Sequence, residues 1–181
     1  SLSDHVPVFS LNGVSKVYYA PGWRIGYLAI HDPLGNMLDV RDGIERLLRS
    51  RLCASTPAQL GYLAGLVEDR SWMDSHTEKV KQRRQYCLDR ISAIDGLEVE
   101  VPGGAFYMFV RLTDSQWAED DKNFVLKLLH EEHVLVVHGS GFSPEMGKGH
   151  FRLVYLADLD TLATAFDRIE SFLLRHRSAK M

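Results

Sequence analysis

Cysteine is scarce in this chain: among 181 residues only Cys53 and Cys87 carry a thiol. Each sits in a stretch of apolar periodicity without a close-spaced partner. Both are therefore expected to be buried reduced thiols, not a disulfide, a metal pair or a nucleophile. Positive charge is not in excess either. Lys and Arg total 21 against 24 Asp and Glu, a formal net charge of −3, whereas a nucleic-acid footprint needs a strongly basic face. No apolar run reaches the length of a membrane span, and the first residues lack a basic-then-apolar leader pattern, so a cytoplasmic protein with no membrane partner is expected. The eight histidines form no H-E-x-x-H or H-x-x-x-H pair. His130 and His133 flank Glu131 and Glu132 and are expected at a solvated helix end, with no metal bound.

Two glycine-rich stretches also lack what a nucleotide loop requires. Gly139-Ser140-Gly141-Phe142-Ser143-Pro144 has proline at the third fingerprint position and no helical pattern after it. Gly147-Lys148-Gly149 lacks the hydroxyl residue that a P-loop places on magnesium. Neither is read as a nucleotide site.

What is present is a globular composition, 45% apolar and 25% charged. Val6 to Leu11 reads as a short buried strand with almost no lead-in, followed by the turn signal Asn12-Gly13. A domain opening on a core strand is expected to be part of something longer. Tyr27 to Ile30 reads as a second strand, and Leu38 to Leu52 carries helical periodicity. Thr56-Pro57 resembles a helix start with Thr56 as N-cap. A long helix is expected from Ser71 and Asp74 to Ile94, closed by Gly96, with Lys79, Lys81, Arg83 and Arg84 on a solvated face. Short strands follow at Leu97–Val101, Ala105–Val110, Val134–Val137 and Phe151–Val154. Asp120-Asp121 caps one intervening helix, and Leu159 to Leu173 forms a closing amphipathic helix. The expected fold class is α/β overall, with a C-terminal α+β part in which short antiparallel strands are packed by helices. A boundary is expected between Leu38 and Ser71, giving domains 1–55 and 56–181.

The residues that carry chemistry cluster early. Lys16 stands between an apolar strand and a tyrosine-rich loop, with Arg24 eight residues on. A lysine in apolar surroundings has its ammonium destabilised, and the neutral amine is the form that attacks a carbonyl. An arginine nearby offers a planar fork for a phosphate. On these residues alone an ordinary lysine in an exposed loop is the favoured reading, since single lysines and arginines are common.

Ser15-Lys16, seven intervening residues and Arg24-Ile25-Gly26 resemble the cofactor-lysine region of class I/II (fold type I) pyridoxal-phosphate aminotransferases. The resemblance runs on through Pro102-Gly103-Gly104-Ala105-Phe106-Tyr107 and Phe151-Arg152-Leu153, and the wording is close to alanine and aspartate aminotransferases. It implies the C-terminal part of a pyridoxal-phosphate-transferase fold, with residues 1–55 ending the large cofactor domain and 56–181 forming the small one. It further implies pyridoxal 5′-phosphate held by Lys16 as a Schiff base, with Arg24 on the phosphate and Ser15 beside it. Arg152 would bind the substrate α-carboxylate, and amino acids and 2-oxo acids would be the substrates. A homodimer is implied for the full-length protein. One departure is Gly13, where many members carry a phosphate-binding hydroxyl residue. In the family the aspartate under the pyridine nitrogen lies upstream of the lysine, so this chain alone is expected to be inactive. Two alternatives remain at this stage: a non-catalytic ligand-sensing domain of a regulator, and another fold-type I enzyme such as a lyase.

Overall fold

The computed structural model describes residues 4–177. The chain divides into two compact units, residues 1–71 and 72–181. The helix that opens at Thr56 falls in the first of these units.

The first unit is a hairpin and three helices. Strand β1 (Val8–Gly13) pairs antiparallel with β2 (Gly26–His31), from Val8↔His31 to Gly13↔Gly26. Between them lie a single helical turn, α1 (Val14–Val17), and a 3-10 turn at Pro21–Trp23. Helices α2 (Leu38–Arg49) and α3 (Thr56–Val67) complete the unit. The Asp32 carboxylate accepts from the backbone N–H groups of Asn36 and Met37 at 3.1 and 2.9 Å, which fixes the chain reversal ahead of α2. Helix α2 stops at Arg49, short of the expected Leu52, which adopts a left-handed φ of 66°. Ser55, not Thr56, occupies the N-cap of α3, leaving Thr56 and Pro57 as its first two helical residues. The buried core is small: Val14, Ile25 and Tyr62, with Tyr18, Ala20 and Ala58 packed on them. The first strand is not buried as expected. Leu11 is 80% exposed and Val6 53%, because a two-stranded hairpin has no third strand or covering helix to remove those side chains from water.

The second unit holds α4 (Trp72–Ala93), β3 (Leu97–Val99), β4 (Tyr107–Leu112), α5 (Ser115–Glu119), α6 (Asp121–Glu132), β5 (Val137–His138), β6 (His150–Val154) and α7 (Leu159–Arg175). Its strands form an antiparallel sheet in the order β3-β4-β6-β5. Alternation along β4 and β6 sends Met108, Val110, Leu112, Phe151 and Leu153 into one core with Cys87 and Ile91 of α4, Phe124 and Leu128 of α6, and Phe166 and Phe172 of α7. All three helices thus cover the same sheet face, the α+β arrangement anticipated from the element order. Each fully buried side chain of this size contributes about 1.5–3 kcal/mol relative to exposure. Tyr107, Phe109, Arg111, His150, Arg152 and Val154 share the opposite face, none of them buried.

Several strands are shorter than their apolar runs. β3 ends at Val99, ahead of Pro102, which has no N–H to continue a ladder. Ala105 takes a left-handed φ of 58°, delaying β4 to Tyr107. Val134 and Val136 are buried without strand pairing. The basic face expected on α4 is only partly solvated. Arg83 Nη1 donates to the Leu156 carbonyl at 2.6 Å and Arg84 Nη1 to that of Pro102 at 3.0 Å, so both are half-buried clamps.

Candidate functional site

The hairpin of the first unit closes on two glycines. A methyl group on Gly26 would collide with the Asn12 carbonyl oxygen, and one on Gly13 would stand 3.1 Å from that of Ile25. Glycine at both positions lets the strands approach closely enough for Val14 N–H to donate to the Ile25 carbonyl at 3.3 Å. The closing pair Gly13↔Gly26 therefore brings Ser15 and Lys16, on one side, and Arg24, on the other, to the same end of the hairpin. The tight register gives a steric reason for glycine at position 13.

Lys16 is exposed in the four-residue turn of α1 and Ser15 is half-buried. The apolar surround expected of Lys16 is not formed among the described residues, because Val14, 1% exposed, takes the inward place on that turn. Arg24 is exposed with a left-handed φ of 53°, and its Nη1 donates to the Pro21 carbonyl at 2.8 Å.

Helix α3 holds the segment between these residues. Its glycines Gly61 and Gly65, one turn apart, form a notch that receives two aromatic rings. A methyl group on Gly61 would lie 2.6 Å from Trp23 Cζ3, and one on Gly65 2.9 Å from Tyr18 Cε1. The Tyr18 hydroxyl donates to the Gly65 carbonyl at 2.8 Å. Tyr62 meets Tyr18 edge-on at 5.7 Å and lies 5.8 Å from Tyr27. Sequence reasoning missed this notch, although G-Y-L-A-G places two glycines on one helix face.

Arg152 belongs to the second unit. Strand β6 runs between β4 and β5, so Arg152 is on an interior strand, facing Phe109 and Val137 in register. Arg152 is therefore not at a sheet edge. Its guanidinium carbon lies 4.8 Å from the Tyr107 ring centre and 4.5 Å from that of Phe142. Among the described residues no carboxylate pairs with it, and its buried Nε has no hydrogen-bond partner. Phe109 extends the aromatic floor, stacking on His150 at 5.0 Å and meeting Phe142 edge-on at 6.0 Å. The arrangement is a charged fork in contact with two aromatic rings and, among the described residues, without a counter-charge. That is the chemistry that takes a planar carboxylate.

The loop bearing Phe142 is fixed from the other side. Asp121 is 3% exposed. Its Oδ2 accepts from the Ser140 backbone N–H and its Oδ1 from the Ser140 hydroxyl, both at 2.7 Å. His138 Nδ1 is 2.9 Å from the same hydroxyl oxygen. A methyl group on either Gly139 or Gly147 would overlap the other's carbonyl, so these glycines serve a backbone crossing and not a nucleotide. The pair Asp120-Asp121 divides its work: Asp120 caps α6 by accepting from Asn123 N–H at 3.1 Å, while Asp121 turns inward. His133 closes the same helix in a left-handed conformation, and among the described residues no cluster of three or more candidate metal ligands occurs.

Comparison with known proteins places these features. The sequence pattern of the family described as aminotransferase class I and II matches residues 1–169. An alanine aminotransferase of Mycobacterium tuberculosis is 33% identical over 180 residues, 98% of this chain and 42% of that protein. A tyrosine aminotransferase of Dictyostelium discoideum is 31% identical over 186 residues, 98% of this chain and 44% of its own length. Among solved structures, an alanine aminotransferase from Pyrococcus furiosus superposes with a TM-score of 0.91 at 45% identity, covering 96% of this chain and 44% of that one. The chain thus spans less than half the length of the relatives it matches. With the matched residues taking in both the Lys16 hairpin and the Arg152 strand, the chain belongs to the class I and II aminotransferase family.

Proposed function

We propose that this chain carries the cofactor lysine and the carboxylate arginine of a pyridoxal-phosphate-dependent aminotransferase, which moves an amino group between an L-amino acid and a 2-oxo acid. The observation that carries the reading is the glycine-closed hairpin, which sets Ser15 and Lys16 at the same end as Arg24. Alanine is the favoured amino donor, in line with the alanine aminotransferases among its relatives, and aspartate is the next.

The donor set fits the cofactor: a primary amine for an aldehyde, and a guanidinium with a neighbouring hydroxyl for a phosphate dianion. When bound, pyridoxal 5′-phosphate supplies an aldehyde for amines and a ring that takes up electron density from the substrate Cα. Lys16 would anchor that group and, with its amine free, would take the proton from the substrate Cα as a general base and deliver it to the former aldehyde carbon of the cofactor as a general acid. Arg24 and Ser15 hold the phosphate, and the left-handed backbone at Arg24 turns that side chain out of the strand line. Arg152 binds the substrate α-carboxylate as a bidentate pair, with Tyr107 and Phe142 limiting the rotation of its plane. The chain spans less than half the length of the relatives it matches, and by itself it is proposed to have no useful turnover. A homodimer is proposed for the full-length protein.

The test is borohydride reduction after addition of pyridoxal 5′-phosphate, followed by peptide mapping. Selective labelling of Lys16, lost in Lys16→Ala and weakened at least tenfold in Arg24→Ala, is the expected result. Uniform labelling of exposed lysines, unchanged by either substitution, overturns the assignment. Alanine with 2-oxoglutarate should give no measurable turnover with this chain. Appreciable turnover would refute the proposed inactivity.

A further inference from the structure

We propose that Asp121, acting through Ser140, is a positioning residue for Arg152: it fixes the 139–141 turn so that Phe142 lies over the guanidinium and holds it flat for a carboxylate. The proposal rests on the reading of Arg152 as the carboxylate-binding residue.

The chain of contacts is continuous. Asp121 sits in the first turn of α6 and is the one buried charged residue among those described. Burying a carboxylate is costly unless its lone pairs are satisfied. Both of its oxygens are spent on Ser140, one on the backbone N–H and one on the hydroxyl, each at 2.7 Å. The N-cap of α6 does not need Asp121, since Asp120 provides it. Ser140 lies in the 3-10 turn Gly139–Gly141, whose first carbonyl accepts from Phe142 N–H at 2.8 Å. The Phe142 ring then lies 4.5 Å from the guanidinium carbon of Arg152, which also has the Tyr107 ring at 4.8 Å.

Two features show that this link is needed. Phe142 is 52% exposed, so burial does little to hold it over the arginine. Arg152 in turn has no ion pair among the described residues, and its buried Nε–H makes no hydrogen bond. Its orientation therefore depends on the two rings, and one ring depends on a turn tied down by Asp121. Tyr107 belongs to β4 and needs no such tether, because its backbone is held in register with Val154. A guanidinium held in one plane binds a carboxylate with less ordering to be done at the moment of binding.

The experiment uses the whole chain, labelled with nitrogen-15, and follows the Arg152 Nε–H signal first without ligand and then during titration with propionate at constant ionic strength. In the parent chain the signal is expected to be ordered and slow to exchange, and to shift saturably with propionate. Ser140→Ala and Phe142→Leu should each speed its exchange and weaken propionate binding by roughly 3- to 10-fold, the size of a cation–π contact at a partly exposed site. Ser140→Thr keeps the hydroxyl and should restore both readings. Asp121→Asn, which can still accept from Ser140, should fall between parent and Ser140→Ala. Equal Arg152 order in the parent, Ser140→Ala and Phe142→Leu overturns the positioning role whatever propionate does. Loss of order in the variants, with no saturable propionate shift in any form, upholds the positioning role and instead removes the reading of Arg152 as a carboxylate binder. Ser140→Ala and Phe142→Leu change half-buried or exposed side chains, so the result does not depend on the fold tolerating loss of the buried aspartate.

Discussion

A single methyl group separates two glycines with opposite expected behaviour. At Gly26 an added Cβ would meet the Asn12 backbone oxygen, which cannot move without breaking the hairpin register. At Gly43, inside α2, an added Cβ meets nothing within 4 Å. Gly26→Ala should therefore destabilise the chain by about 1–3 kcal/mol, the usual cost of overpacking. Gly43→Ala should stabilise it by about 0.5–1 kcal/mol by removing backbone entropy from the unfolded state. Urea midpoints of the two variants against the parent check both signs, and a neutral Gly26→Ala would mean that the glycine pair does not set the approach of the Lys16 and Arg24 segments. The same scale explains what the residues could not disclose alone. Arg152 was legible from Phe151-Arg152-Leu153, but its clamp was not. Phe142 lies ten residues upstream and Tyr107 on a different strand, so no local pattern links them. Asp121 was legible as half of an acidic cap pair. Which of two adjacent aspartates turns inward depends on the loop packed against the helix start.

At the scale of elements, helix ends respond to pH in a direction set by their caps. Asp158 caps α7 by accepting from Thr161 N–H at 2.8 Å, and that backbone bond, first among its causes, holds its carboxyl below the ordinary 3.8. A group with a depressed folded pKa contributes stability that is fully present above the unfolded value. That stability disappears as pH falls through the lower folded value. The α7 cap contribution should therefore be intact at pH 5 and lost progressively below about pH 4, where an unperturbed aspartate titrates. Asp158→Asn keeps a capping oxygen without the charge and should flatten that part of the acid limb. Urea midpoints of parent and variant at pH 5 and pH 3 measure it. An identical fall in both would place the acid sensitivity elsewhere, for instance at Glu119 or Glu131, whose carboxyls are also lowered by Lys148 and His176. Helices α6 and α7 were plain in the sequence because caps and apolar spacing agree. The short strands β3 and β5 do not follow the extent of their apolar runs, since an apolar run sets which residues are buried, while pairing with a neighbour decides where a strand stops.

For the molecule as a whole, the two units differ in how much they bury. The first keeps a core of Val14, Ile25 and Tyr62, while the second draws on side chains from a four-stranded sheet and its helices. In the first unit Leu11, Tyr27 and Leu48 line an open groove of about 710 Å³, an apolar surface of a kind associated with partners or aggregation. Residues 1–71 are accordingly expected to open at lower denaturant than 72–181. The cysteines report on each unit separately. Cys53 is exposed in the first, whereas Cys87 is fully buried in the second, its thiol pushed up to about 12 by desolvation. Alkylation of the native chain should modify Cys53 alone, with Cys87 reacting only at the denaturant concentration that unfolds the second unit. Modification of Cys87 in the native chain as fast as that of Cys53 would overturn this expectation.

The sequence by itself determined the family, the principal helices and the antiparallel character of the C-terminal sheet, and it singled out the lysine and the two arginines that the proposed function uses. These follow from local spacing, caps and motifs, which are written in neighbouring residues. The tertiary structure alone decided that α3 belongs with the hairpin, whose aromatic side chains it receives at Gly61 and Gly65. It also decided that Lys16 is exposed, and that Arg152 meets two aromatic rings while a buried aspartate bonds to the turn leading to one of them. Each of these depends on contacts between segments far apart in the chain, and a contact of that kind is fixed by shape and by the accounting of buried polar groups, neither of which a linear pattern contains.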